Sequence, residues 1–153
     1  MANPHILIVE ARFYDDIADE LGRSARDTLD AAGATHETVA VPGAFEIPGA
    51  IAMAIEGQRH GHSHSRFDGF IALGCVIRGE TTHYDYVCVE SARGLQDLAI
   101  RDQMPIGYGI LTCENRDQAW VRAAVDQKNK GRDAAEACLA MLALRRRFGL
   151  ADG

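Results

Sequence analysis

No apolar run in this chain approaches the roughly 20 residues that a membrane-spanning helix needs, so no transmembrane segment is expected. A secretory leader is not expected either, because Met1-Ala2-Asn3-Pro4 leads straight into a short apolar strand. The four cysteines, Cys75, Cys88, Cys113 and Cys138, are scattered without Cys-x-x-Cys spacing. That pattern argues against a zinc ribbon or a disulfide framework and reads as buried, reduced thiols of a cytoplasmic protein. Positive charge is in deficit: 16 Lys and Arg stand against 22 Asp and Glu, for a formal net charge of −6. Such a balance implies no dedicated basic face for nucleic acid. The run Arg145-Arg146-Arg147 reads as a helix end whose cations complement the dipole. A phosphate-binding Walker loop, a Gly-x-Gly-x-x-Gly fingerprint and a Gly-x-Ser-x-Gly nucleophile turn are all missing. No repeat, low-complexity segment or linker breaks the chain, so residues 1–153 are expected to form one domain.

What the chain does have is regular alternation of strand and helix signals. Residues 5–9 read as a strand. Residues 13–32 read as an amphipathic helix with Ile17, Leu21, Ala25 and Leu29 on one face, closed by Gly33 as a left-handed cap. Residues 35–41 alternate in strand fashion, Pro42-Gly43 breaks the strand, and residues 44–56 return to helix with Pro48 in the first turn. After a polar loop at 58–66, residues 69–77 are nearly all apolar, as in a strand buried on both faces. A helix over 84–101, a strand over 106–112, a helix capped by Asn115 and running to 124, and a last helix ending near 148 complete the series. The pattern predicts an α/β fold: a three-layer αβα sandwich with a four-stranded parallel sheet, flavodoxin-like, with right-handed crossovers. Alanines at 50, 52, 54, 134, 135 and 137 give helix faces small enough to pack against other copies of the chain.

Ligands of such folds bind outside the C-terminal ends of the strands, and three of those ends carry unusual residues. After the first strand, Phe13 either staples the helix start or presents a flat face to a heteroaromatic ring. In Val41-Pro42-Gly43-Ala44-Phe45-Glu46-Ile47-Pro48, Glu46 either serves the helix dipole or accepts hydrogen bonds from ligand hydroxyls. After the third strand, Arg78-Gly79-Glu80-Thr81-Thr82-His83 joins a flexible backbone to two hydroxyls and an imidazole at a helix N-terminus. Amides near Glu80 and Thr81 suit an oxyanion or phosphate, and His83 suits proton transfer. Arg122 and Lys130 are either solubility charges or phosphate contacts. The tract Arg59-His60-Gly61-His62-Ser63-His64 resembles a metal site but has no carboxylate or cysteine partner at ligand spacing, so it reads as a solvated loop.

Taken together, Ala11-Arg12-Phe13, residues 42–48, the run from Gly74 to Val87, Gly109-Ile110-Leu111-Thr112 and Asn129-Lys130-Gly131 resemble the 6,7-dimethyl-8-ribityllumazine synthases, over essentially the whole chain. The resemblance implies an enzyme of riboflavin biosynthesis. It would condense 5-amino-6-(D-ribitylamino)uracil with 3,4-dihydroxy-2-butanone 4-phosphate, releasing phosphate and water, with no metal or redox cofactor. It implies that Phe13 stacks on the pyrimidine, that Ala44, Phe45 and Glu46 hold the ribityl chain, and that Cys75, Val76 and Ile77 line the ring pocket. It further implies that Glu80 and Thr81 offer backbone amides to the butanone phosphate, that His83 shuttles protons, that Arg122 pairs with the phosphate and that Lys130 lies close to the ligands. Tyr108 stands where the family commonly has phenylalanine, on a rim supplied by a neighbouring subunit. A pentamer with sites between subunits is implied, together with a functional link to riboflavin synthase. Residues 123–128 replace the Ala-Gly-Thr-Lys-Ala-Gly run of members that build sixty-subunit shells, so no shell is implied. The competing function is a lumazine- or flavin-binding or shell-forming relative with little turnover.

Overall fold

The computed structural model describes residues 3–61 and 65–150. In chain order the elements are β1 (His5–Ala11), α1 (Asp15–Ala31), β2 (Thr35–Val41), a 3₁₀ turn (Ala44–Glu46), α2 (Ile47–Arg59), β3 (Gly69–Ile77), α3 (His83–Asp102), β4 (Ile106–Cys113), α4 (Arg116–Ala123) and α5 (Lys130–Arg147). The four strands pair in parallel in the order β2-β1-β3-β4. Alternation of side chains along β1 sorts the two layers. Ile6 and Ile8 pack with residues of α1, α4 and α5, while Leu7, Val9 and Ala11 pack with residues of α2 and α3. The fold is therefore the α/β three-layer, flavodoxin-like sandwich that the alternation implies.

The helix face Ile17, Leu21, Ala25 and Leu29 is completely buried. Gly33 takes φ +76 just past the α1 C-terminus, a left-handed position that favours glycine. The side chain of Asn115 accepts from Gln118 N–H at 2.9 Å and caps α4. In the last turn of α5, Arg145 Nε donates to the carbonyl of Gln103 at 2.9 Å, so one member of the arginine run also secures a turn.

Several boundaries differ from the sequence expectation. Strand β1 continues to Ala11, because Glu10 and Ala11 still pair with Ala40 and Val41 of β2. Local pattern stops a strand at a charge. Here Glu10 is buried, with Arg12 Nη1 3.3 Å from Oε1, and Oε2 has no partner. Helix α1 starts at Asp15, where two aspartates occupy its first turn, which leaves Phe13 outside the helix. The segment 44–56 begins as a 3₁₀ turn and its α-helix runs on to Arg59. Of the cysteines, Cys113 and Cys138 are buried but Cys75 and Cys88 are only half-buried; all four are free thiols. His62 and His64 of the histidine tract lie outside the described residues, and His60 pairs with Glu56 at 2.7 Å. Among the described residues no group of three or more His, Cys, Asp or Glu is arranged to hold a metal. None of the described helices is long and apolar enough to cross a membrane.

Candidate active site

Strands β1 and β3 are neighbours, but their following connections lead to opposite sides, β2 on one and β4 on the other. That reversal opens a crevice beyond the strand C-termini. A cavity of about 410 Å³ sits there, on the α2 and α3 side, lined by Ala11, Phe13, Tyr14, Pro42, Gly43, Ala44, Phe45, Glu46, Cys75, Val76, Ile77, His83 and Val87. Eight of these were legible as candidates: Phe13, Ala44, Phe45, Glu46, Cys75, Val76, Ile77 and His83. They arrive from three separate strand ends.

Each wall has a local cause. Phe13 stands two residues past the end of β1 and is 74% exposed, so it does not staple the helix start. Its ring meets that of Tyr14 edge to face, with centroids 4.9 Å apart. The tight turn after Gly43, closed by Glu46 N–H to Gly43 O at 3.1 Å, leaves Phe45 and Glu46 exposed. The carboxylate of Glu46 makes no side-chain cap on α2, so the simple capping role is not what the structure shows. Helix α3 closes the opposite wall by coming tight against Pro48, where a Cβ at Gly94 would lie 2.9 Å from the proline ring. The floor is Cys75, Val76 and Ile77, the half-buried end of β3.

At that floor burial pushes the Cys75 thiol up to about 12, with Cys113 adding to the effect. Burial likewise raises the phenol of Tyr14, reinforced by Cys75. The floor is thus neutral and apolar, suited to a flat ring, and Cys75 is no nucleophile. Alkylation by iodoacetamide near pH 8 is expected to be about 10³-fold slower at Cys75 in the native protein than in the unfolded chain. Peptide mass mapping with and without urea would measure it, and equal rates would contradict a protonated floor.

Beyond β3, residues 78–83 are exposed. Thr81 Oγ1 accepts from His83 N–H at 3.3 Å, and the carbonyl of Thr82 accepts from Asp85 N–H at 3.0 Å. Glu80 and Thr81 are exposed and do not themselves line the cavity; they lead into His83, which begins α3 and borders it.

Three further expected site residues lie away from this cavity within the chain. Tyr108 lies on edge strand β4, 45% exposed, with Tyr84 and Cys88 as electrostatic neighbours. Those two belong to α3 as His83 and Val87 do, but the cavity is lined by the latter pair. Arg122 lies on α4 in the opposite helix layer, with Nη1 donating to Gln118 O at 3.0 Å. Lys130 starts α5, also in that layer, 3.2 Å from Asp133. Sequence reasoning did not assign the remaining five lining residues, Ala11, Tyr14, Pro42, Gly43 and Val87. Val87 had a signal, since it stands one helical turn after His83 and so shares its face.

The family model described as 6,7-dimethyl-8-ribityllumazine synthase matches residues 3–146. The chain is 54% identical over 149 residues to the 6,7-dimethyl-8-ribityllumazine synthase of Agrobacterium fabrum, covering 97% of this chain and 99% of that one. It is 57% identical over 145 residues to 6,7-dimethyl-8-ribityllumazine synthase 1 of Rhizobium meliloti, covering 95% and 94%. With the 6,7-dimethyl-8-ribityllumazine synthase of Bartonella henselae the identity is 56% over 145 residues, covering 95% and 90%.

Proposed function

The chain belongs to the 6,7-dimethyl-8-ribityllumazine synthase family, and from that premise we propose how its own residues carry the reaction. The chain is a transferase of riboflavin biosynthesis that condenses 5-amino-6-(D-ribitylamino)uracil with 3,4-dihydroxy-2-butanone 4-phosphate, releasing phosphate and water. Residues 1–153 act as one domain built on the one four-stranded sheet.

The observation that carries the residue assignment is the convergence of two exposed aromatics, a carboxylate and a histidine on a cavity with an apolar floor. Phe13 stacks on the pyrimidine over Cys75, Val76 and Ile77. The Ala44-Phe45-Glu46 turn holds the ribityl chain, with the Glu46 carboxylate accepting from its hydroxyls. The butanone phosphate rests on the amides of Glu80 and Thr81, beside the N-terminus of α3. His83 lies between the two reactants. The uracil amine attacks the ketone and water leaves to give an imine; phosphate is then eliminated, and ring closure expels a second water. No step needs a protein nucleophile. Holding both reactants in register supplies up to about 7–11 kcal/mol of the barrier, and proton transfers through His83 add to it.

Tyr108, Arg122 and Lys130 lie off their own chain's cavity, and that placement supports a site completed by the next copy in a ring. In this reading a neighbour's Arg122 pairs with the phosphate, its Tyr108 covers the pyrimidine and its Lys130 lies near the ligands. The hydroxyl of Tyr108, in place of the usual phenylalanine, changes the affinity for product and flavin analogues rather than the stacking itself. A head-to-tail contact that closes gives a ring, and the assembly proposed is the pentamer, located in the cytoplasm, passing its lumazine to riboflavin synthase.

Mixing two disabled proteins tests the shared site. His83→Ala and Arg122→Ala homomers are each expected to be strongly impaired. Subunits unfolded and reassembled together at equal amounts should regain up to about one quarter of native activity, since one interface in four pairs a native His83 with a native Arg122. Lumazine fluorescence reads the product, and sedimentation gives the assembly mass on the same sample. A mixture no more active than its parents would contradict a site shared between subunits.

A further inference from the structure

We propose that Arg78 is a positioning residue: it anchors the 79–82 loop from both ends and so holds the loop's amides ready for the butanone phosphate. The inference rests on the assignment of that loop to the phosphate. Its basis is what surrounds the guanidinium. Nε donates to Glu114 Oε2 at 2.7 Å, in the segment just after β4. Nη1 lies 3.4 Å from Asp85 Oδ1, in the first turn of α3. The guanidinium carbon stands 4.3 Å from the centroid of the Tyr84 ring. The backbone N–H of Arg78 also donates to Cys113 O at 2.9 Å, which carries the β3–β4 ladder one residue past β3.

One side chain thus ties the residue before the loop, the first turn of the helix after it and the end of the neighbouring strand. The loop needs that tie. All four of its residues are exposed, and a Cβ at Gly79 would meet nothing within 4 Å. An exposed ion pair alone contributes little. A planar fork shared by two carboxylates and stacked on a ring is a network, and only arginine has the shape to form it. Two carboxylates facing one cation also leave no net positive charge to offer the phosphate, so Arg78 acts on the substrate through the loop.

The test uses the full-length assembly with Arg78→Lys, Arg78→Gln and Glu114→Gln. Steady-state constants are measured for each substrate, and amide hydrogen exchange is followed at Arg78, His83 and Asp85, whose N–H groups bond to Cys113 O, Thr81 Oγ1 and Thr82 O. Loosening the loop makes the phosphate order it on binding, a cost equivalent to fixing about one residue's backbone, or on the order of tenfold in KM. Both Arg78 variants are expected to show that rise for the butanone phosphate. The KM for ribitylaminouracil and kcat at saturation should stay near native, because bound phosphate restores the loop. Exchange at those three amides should speed up, and Glu114→Gln should shift KM in the same direction.

If Arg78 met the phosphate directly, Arg78→Lys would keep most of the affinity and Glu114→Gln would lower KM by freeing the cation. Either result overturns the proposal. Unchanged exchange in the Arg78 variants overturns it too. Faster exchange with an unchanged phosphate KM would leave Arg78 as the loop's anchor and overturn the assignment of the loop to phosphate.

Discussion

Replacing His83 with alanine is expected to lower kcat by about 10²–10⁴-fold, the usual contribution of a placed proton donor and acceptor, while leaving measurable turnover. His83 sits at the start of α3, exposed, bordering the cavity rather than buried within it. It is the histidine that lines the cavity and it shares the wall with Val87. The reaction proposed for it is a condensation followed by an elimination, in which every step moves a proton but none needs a bond to the protein. Placement of two reactants in one cavity survives the substitution, and with it the larger share of the acceleration. Imidazole added to the variant should recover part of the lost rate, because the alanine leaves the lip of the cavity open. The measurement is lumazine formation at saturating substrates, with circular dichroism to verify the fold. A folded His83→Ala protein with no activity above the uncatalysed reaction would contradict a mechanism driven chiefly by placement.

The largest expected loss of stability is at Gly107. A Cβ built there would stand 2.0 Å from the carbonyl oxygen of Ala134, 2.9 Å from its carbonyl carbon and 3.2 Å from Cys138 Cβ. The first two are backbone, so no rotamer change relieves them. Helix α5 would have to lift off β4, disturbing the core around Ala134, Ala135, Cys138 and Leu142. Gly107→Ala is expected to cost at least about 3 kcal/mol, the upper range of overpacked cores. Gly49→Ala is the control: it lies in the first turn of α2 with nothing within 4 Å of an added Cβ. That change should be neutral or gain about 0.5 kcal/mol from helix propensity. Urea denaturation of both proteins gives the comparison. Equal midpoints would mean that α5 does not pack on β4 as described.

Most elements were legible because their signals are local. The Ile17, Leu21, Ala25 and Leu29 stripe, Gly33 as a cap and Asn115 as a cap each depend on neighbours within a turn or two. Errors fell where distant chain intervened. Glu10 stays in β1 because β2 and β3 offer ladder partners on both sides. Local pattern leaves Phe13 open between staple and binding surface, and its exposure removes the staple. Local pattern leaves Glu46 open between cap and ligand contact, and the turn, which gives its carboxylate no capping bond, removes the cap. Cys75, expected among the buried thiols, is half-buried because the end of β3 emerges from the sandwich at the cavity floor.

The sequence by itself determined the order and type of the elements, since helical and strand periodicity, caps and turn residues act over a few positions, and it offered the candidate site residues. Only the tertiary structure decided which of those residues meet. Strand order β2-β1-β3-β4 brings the ends of β1, β2 and β3 around one crevice, and the two-residue period of each strand assigns its side chains to one helix layer or the other. The same packing places Arg122 and Lys130 in the layer away from the cavity and Tyr108 on the edge strand. No local pattern encodes that division, because it follows from crossover handedness and from helices burying their apolar faces against a shared sheet.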